Sequence, residues 1–251
     1  MGKRHDAIGI KQAIRFEWMQ KAANLVLAGL DVKAIRLELD EYLSDRMGSG
    51  VRGDRSAVAR SFAVSLLMRI WVTPDPVLHH LHTGLLDYIA RGNGQEMLIH
   101  WAMISAAYPF WFNVARQTGR VLALQEQITL KQIKSRIVEE YGDRQTVTRN
   151  VQFVVRSFAY WGALNESVAV GCYEKATPVK VVNDDLAILL IESALHALPE
   201  AKAEIRLLLN NPALFPFQIP TMNGDFISQR NAHVDVIRYG LDEEILKLKD
   251  Q

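Results

Sequence analysis

Cysteine is nearly missing from this chain. Cys172 is the only one in 251 residues, so no internal disulfide can form, and a reducing compartment fits. It has no second cysteine for a CxxC metal pair and no evident base to activate it, so it reads as an incidental small residue. Long apolar runs are missing as well. The nearest approach to the ~20 residues of a membrane span is 97–114, which His100, Pro109 and Asn113 interrupt. The opening MGKRHDAIGIKQAIRF lacks the apolar stretch and cleavage site of a signal peptide. These absences predict a cytoplasmic protein with no membrane partner.

The familiar catalytic signatures are absent too: no GxGxxG with a spaced acid, no GxxxxGK[ST], no HExxH and no GxSxG. Asp184-Asp185 and Glu243-Glu244 are adjacent pairs that would point to different sides of a helix. They suit the positive start of a helix better than acid/base work. His79, His80 and His82 crowd one stretch, yet only His79 and His82 have helical ligand spacing, and no acid or cysteine completes a site. They read as helix-surface histidines, and His100 as a hydrogen-bonded core residue. No catalytic residue, metal or cofactor is expected.

What is present is an ordinary globular composition, 49% hydrophobic and 23% charged, which excludes disorder. The length allows one large domain or two small ones. The net charge of +1 hides an asymmetry: residues 1–182 carry 23 Lys and Arg against 17 acids, and residues 183–251 carry 6 against 11. A polyanion would meet the first part and avoid the second.

Helical periodicity dominates from the start. Residues 10–28 form one apolar stripe closed by Gly29, and Asp31 can cap a second helix with Ile35, Leu39, Tyr42 and Leu43 on its inner face. The glycine-rich 47–54, flanked by Arg46, Arg52, Arg55 and Arg60, reads as a connector more than a phosphate grip. An apolar helix over 55–71 stops at Thr73-Pro74-Asp75-Pro76, and 77–90 starts again. Residues 97–124 hold the densest aromatics, which predicts the centre of the core with a break at Pro109. Helices are expected over 184–198 and 201–209, then the extended LFPFQIP and a late strand near 234–237 before an acidic tail.

The stretch 129–164, TLKQIKSRIVEEYGDRQTVTRNVQFVVRSFAYWGAL, organises the rest. Thr129 can cap a first helix with Ile133, Ile137, Val138 and Tyr141 on one face. Gly142 allows the sharp break, and Thr146 can cap a second helix buried through Val147, Val151, Val154, Val155 and Phe158. Its other face offers Thr148, Arg149, Gln152 and Arg156, with Arg144 in the turn, the residue types that reach phosphates and base edges. Residues 129–161 hold six Lys or Arg against three acids, a modest positive face. Valines 168–170 and 179–182 predict two short strands, the wing of a winged helix-turn-helix. Helix pairs joined by glycine also occur in all-α proteins with basic faces that serve solubility alone.

The order of an N-terminal helical pair, AMISAAYPFWFNVA and the helix-turn-helix with its closing Trp161-Gly162 resembles the BrxA family of bacterial BREX phage-exclusion loci, mainly over 66–164. The resemblance implies an all-α architecture related to the antitermination factor NusB, binding of double-stranded DNA, no catalytic centre, and a role in antiviral defence beside a methyltransferase and ATPases.

The expectation is therefore a mainly α, multi-helix protein with a central winged helix-turn-helix and one or two short β-hairpins. Its parts would be a helical domain over 1–124, the winged module over 125–182 and an acidic helical segment over 183–251. Duplex DNA would be gripped by Arg144, Thr146, Thr148, Arg149, Gln152 and Arg156, with Lys131, Lys134 and Arg136 on the backbone, and other defence-system proteins as further partners. The alternative is a helical adaptor that captures a protein through LFPFQIP or the helix from Asp184.

Overall fold

A computed structural model describes residues 4–92, 94–239 and 243–249; the first three residues of the N-terminal stretch lie outside that range. The chain is mainly helical, with eleven α-helices and small sheets among the described residues. No described helix is long and apolar enough to cross a membrane.

From Phe16 onward the first half is built mainly of helices. Helices α1 (Phe16–Leu27) and α2 (Val32–Tyr42) are joined through Gly29, whose φ of +74° ends α1, and the Asp31 carboxylate accepts from the amides of Lys33 and Ala34 to start α2. The segment before Phe16 is extended instead of helical, with Ile10 and Ile14 buried. Helix α3 (Ala57–Leu67) starts on the Ser56 hydroxyl and runs into a π-helical turn, Met68–Val72. The loop at 47–54 is a connector, its charges spent locally. Arg46 and Arg52 pair with Asp45, Arg60 pairs with Asp40, and the Arg55 guanidinium lies over Trp18.

Helix α4 (His79–Ala90) precedes the aromatic centre, which splits at Tyr108-Pro109 into α5 (Glu96–Ala107) and α6 (Pro109–Leu122). Proline removes one amide and forces the restart. Every described residue of α5 from Leu98 to Ala107 is buried. Trp101 lies in ring contact with Trp111, Phe158, Trp161, Phe215 and Phe217, so the core closes around one indole.

A three-residue strand β1 (Gln127–Thr129) leads into α7 (Leu130–Tyr141) and α8 (Gln145–Tyr160). An antiparallel hairpin follows, β2 (Leu164–Glu166) and β3 (Cys172–Lys175), and β3 also pairs with β1, giving the order β1-β3-β2. The hairpin is therefore displaced from the strands expected at 168–170 and 179–182. Val168 and Val170 lie in its tip, and β4 (Val179–Lys180) instead pairs in parallel with β6 (Phe217–Gln218). Valine composition alone did not reveal that Gly171, at φ +78°, belongs to the turn.

Helix α9 (Asp184–Ala197) is buried from Leu186 to Ala197 and packs on α5. The expected helix over 201–209 is a strand β5 (Lys202–Glu204) followed by the short α10 (Ile205–Leu209). Helix α11 (Gly224–Arg230) and strand β7 (Val234–Tyr239) come next. The acidic end is not a tail: β8 (Glu243–Leu248) sits between β5 and β7. Leu246 and Leu248 are buried, the inward half of an alternating strand. The 3-10 turn Pro212–Leu214, which leads into LFPFQIP, packs across α6, where Gly119 leaves room for the Pro212 carbonyl. One apolar cluster runs from Ile10 to Leu248 and joins these elements, apart from the exposed β4.

Candidate nucleic-acid interface

Helix α7 begins on a reciprocal cap, with the Gln132 amide donating to the Thr129 hydroxyl and the Thr129 amide donating to the Gln132 side chain. It buries Ile133 and Ile137 and ends at Gly142, where φ +83° and ψ 155° place the backbone in a region that favours glycine. Helix α8 starts one residue before Thr146. Arg144 occupies its N-cap without a side-chain cap, and Thr146 is an exposed first-turn residue that caps nothing. The buried row Val147, Val151, Val154, Val155 and Phe158 fixes how α8 is rotated.

That rotation places Arg149, Gln152 and Arg156 in one outward row, together with Gln145 at the same three-and-four spacing. Gln145 was legible from that spacing and was not among the expected contacts. The Thr148 hydroxyl donates to the Gln145 carbonyl at 3.1 Å, so it serves its own helix on the flank of the row.

Helices α7 and α8 pack directly on each other, and the hairpin lies beside both. Its tip borders a groove of about 290 Å³ lined by Gln152, Arg156, Glu166, Val168 and Tyr173 on the α8 side. On the α7 side the tip shares a second groove with Lys131 and Lys134. The Leu130 amide donates to the Gly171 carbonyl at 2.8 Å, which ties the tip to the start of α7. Lys131, Lys134, Gln152 and Arg156 are thus assembled around one feature, with Arg149 continuing the row.

Two expected contacts fall elsewhere. Arg136 is two residues from Lys134, which sends it to the other flank of α7. Arg144 turns back to donate to the Tyr141 carbonyl at 3.0 Å and lines a different cavity with His5, Asp6 and Asn113.

Among the described residues, none of Lys131, Lys134, Arg136, Arg144, Arg149 and Arg156 forms an ion pair. Among the described residues, seven other arginines hold acidic partners: 46, 52, 60, 91, 116, 230 and 238. Arg149 lies 5.8 Å from the Phe153 ring, a contact that leaves its donors available. Glu166 is the acid in the α8-side groove and subtracts from its charge. Burial, then Glu166, pushes the Tyr173 phenol up, so it presents a neutral hydroxyl there.

Two of the three histidines of α4 are used structurally, and His79 is on the surface as expected. His80 Nδ1 lies 3.0 Å from the buried Glu192 carboxylate, and His82 Nε2 donates to the Trp71 carbonyl at 2.8 Å. Burial pushes the Glu192 carboxyl up, but hydrogen bonds from His196, His80 and Asn231 outweigh it and hold the group at about 2. The segments considered for protein capture are enclosed: Leu214 and Phe217 are buried, as is α9 from Leu186 onward.

No protein-family model, curated protein or solved structure matches the chain.

Proposed function

We propose that this chain is a non-catalytic protein that binds double-stranded DNA. Residues 127–175 act as a winged helix-turn-helix, with α8 in the major groove and the β2–β3 hairpin as the wing. The strand order β1-β3-β2 around α7 and α8 supports that architecture. The observation that carries the reading is the row Arg149, Gln152 and Arg156, without acidic partners, beside Lys131 and Lys134 across the hairpin. Arginine and lysine suit phosphates and guanine edges, and glutamine suits adenine. Phosphate contacts dominate such a small basic face, so binding is salt-sensitive and weakly specific.

In the same reading the surrounding helices are a NusB-like platform. The resemblance over 66–164 supports a role in a cytoplasmic BREX-type antiphage system, for which neighbouring methyltransferase and ATPase genes are the check. The direct test is Arg149→Glu with Arg156→Glu. Both side chains are exposed, so the helical circular dichroism should be unchanged while duplex binding is lost. Retained binding in the double variant would remove α8 as the contact.

A further inference from the structure

Val168 and Val170 are the most exposed large apolar residues described, at 104% and 103% of full exposure. They flank Ala169 at the end of the β2–β3 hairpin, so three apolar residues in a row project into solvent. The tip is nonetheless well formed. The Ser167 amide donates to the Cys172 carbonyl at 3.1 Å, the Cys172 amide to the Ala169 carbonyl at 3.0 Å, and the Leu130 amide holds the Gly171 carbonyl. Ladder pairs Glu166↔Tyr173 and Leu164↔Lys175 brace it from behind. Folding gains nothing from valines left wholly in water, so their place in a braced turn calls for an occupant.

The surroundings choose that occupant. Lys131 and Lys134 border the tip on one side, and Gln152 and Arg156 on the other together with the single acid Glu166; among the described residues none of these three cations forms an ion pair. An apolar centre between cationic flanks matches a duplex groove, where two phosphate rows bound a wall of sugars and stacked bases. An apolar protein pocket would not explain the cations.

We infer that Val168-Ala169-Val170 is an apolar wedge that enters the minor groove next to the site of α8, prises it open and bends the duplex. The inference rests on the duplex-binding reading above and goes beyond it, since it assigns a deformation of the DNA to residues that carry no charge. Side chains without donors or acceptors read no base code there, so selectivity at the wedge follows the ease of unstacking, favouring steps such as TA and CA.

The test uses the full chain and a duplex of about twenty base pairs with a fluorescent donor and acceptor at its ends. Saturating wild-type protein should raise energy transfer, the sign of a bend. Val168→Ser with Val170→Ser alters only exposed atoms and should leave the melting temperature and the salt slope of binding unchanged. Affinity should fall about tenfold, as expected for two lost apolar contacts, and the rise in energy transfer should disappear. Val168→Ile with Val170→Ile should keep the bend. Binding by wild type with no change in energy transfer, or an equal bend with the serine variant, would overturn the wedge while leaving DNA binding intact. Wild type that fails to bind at low salt would overturn both.

Discussion

The indole Nε1 of Trp161 donates to the carbonyl oxygen of Ile14 at 2.9 Å, joining the end of α8 to the extended segment before α1. The Ile14 amide in turn donates to the Ser157 hydroxyl, also at 2.9 Å. Both backbone groups of one buried residue are therefore satisfied by α8, which locks the helix to the core while its outer row stays free.

Trp161→Phe should leave the Ile14 carbonyl unpaired and lower the free energy of unfolding by about 1–3 kcal/mol. Ser157→Ala should do the same to the Ile14 amide. Urea unfolding followed by circular dichroism measures both. Variants as stable as wild type would mean the clamp contributes nothing.

Gly119 faces the Pro212 carbonyl so closely that an added Cβ would overlap it. Gly119→Ala should cost about 2–3 kcal/mol, a fall of roughly 5–10 °C in melting temperature for a chain of this size. A change under about 1 kcal/mol would show that the turn at Pro212–Leu214 is not seated on α6 as described.

Acid sensitivity should centre on His100, which is buried but not hydrogen-bonded as expected: its Nδ1 has no partner among the described residues, and the rings of Phe16 and Trp71 enclose it at 5.3 Å each. Burial pushes its imidazole down to about 3. The unfolded chain takes up that proton near 6.5, while the folded chain does not until about 3, so stability falls as pH drops through that window. The loss can reach the order of 5 kcal/mol. His80 works in the opposite sense. Its hydrogen bond to Glu192 raises it above 6.5, so its contribution is complete below 6.5 and fades as pH rises through the folded value. In a plot of urea midpoint against pH, His100→Phe should flatten the acid side and His80→Gln the alkaline side. Unchanged slopes would contradict both assignments.

Cys172 gives a chemical readout of the proposed interface. It is the only cysteine, it is partly accessible, and it lines the grooves on both sides of the hairpin. Saturating duplex should slow its alkylation by N-ethylmaleimide several-fold, and the effect should vanish with Arg149→Glu and Arg156→Glu. Alkylation at the same rate with bound duplex would place the DNA away from the hairpin.

Much of this architecture was legible in the residues. Thr129, Gly142 and the apolar row of α8 have local physical meanings, a cap, a break and a buried face, and the structure uses each of them. The centre at Trp101 followed from aromatic density. The strands were harder because their pairing is non-local. β1 has only three residues, and its partner β3 lies more than forty positions away. The end of the chain, EEILKL, reads as an acidic surface until β5 and β7 close on either side of it. The hairpin tip was misplaced because valine favours strands, whereas Val168 and Val170 occupy the turn. Arg136 and Arg144 are close to the other basic residues in sequence, and helix geometry separates them in space.

The central measurement is a fluorescence-anisotropy titration of labelled duplex repeated across a salt series. With Lys131, Lys134, Arg149 and Arg156 on phosphates, log affinity should fall with log salt at a slope of about −3 to −4. The Arg149→Glu and Arg156→Glu protein should show no binding. Absence of wild-type binding at low salt, or affinity indifferent to salt, would contradict the account.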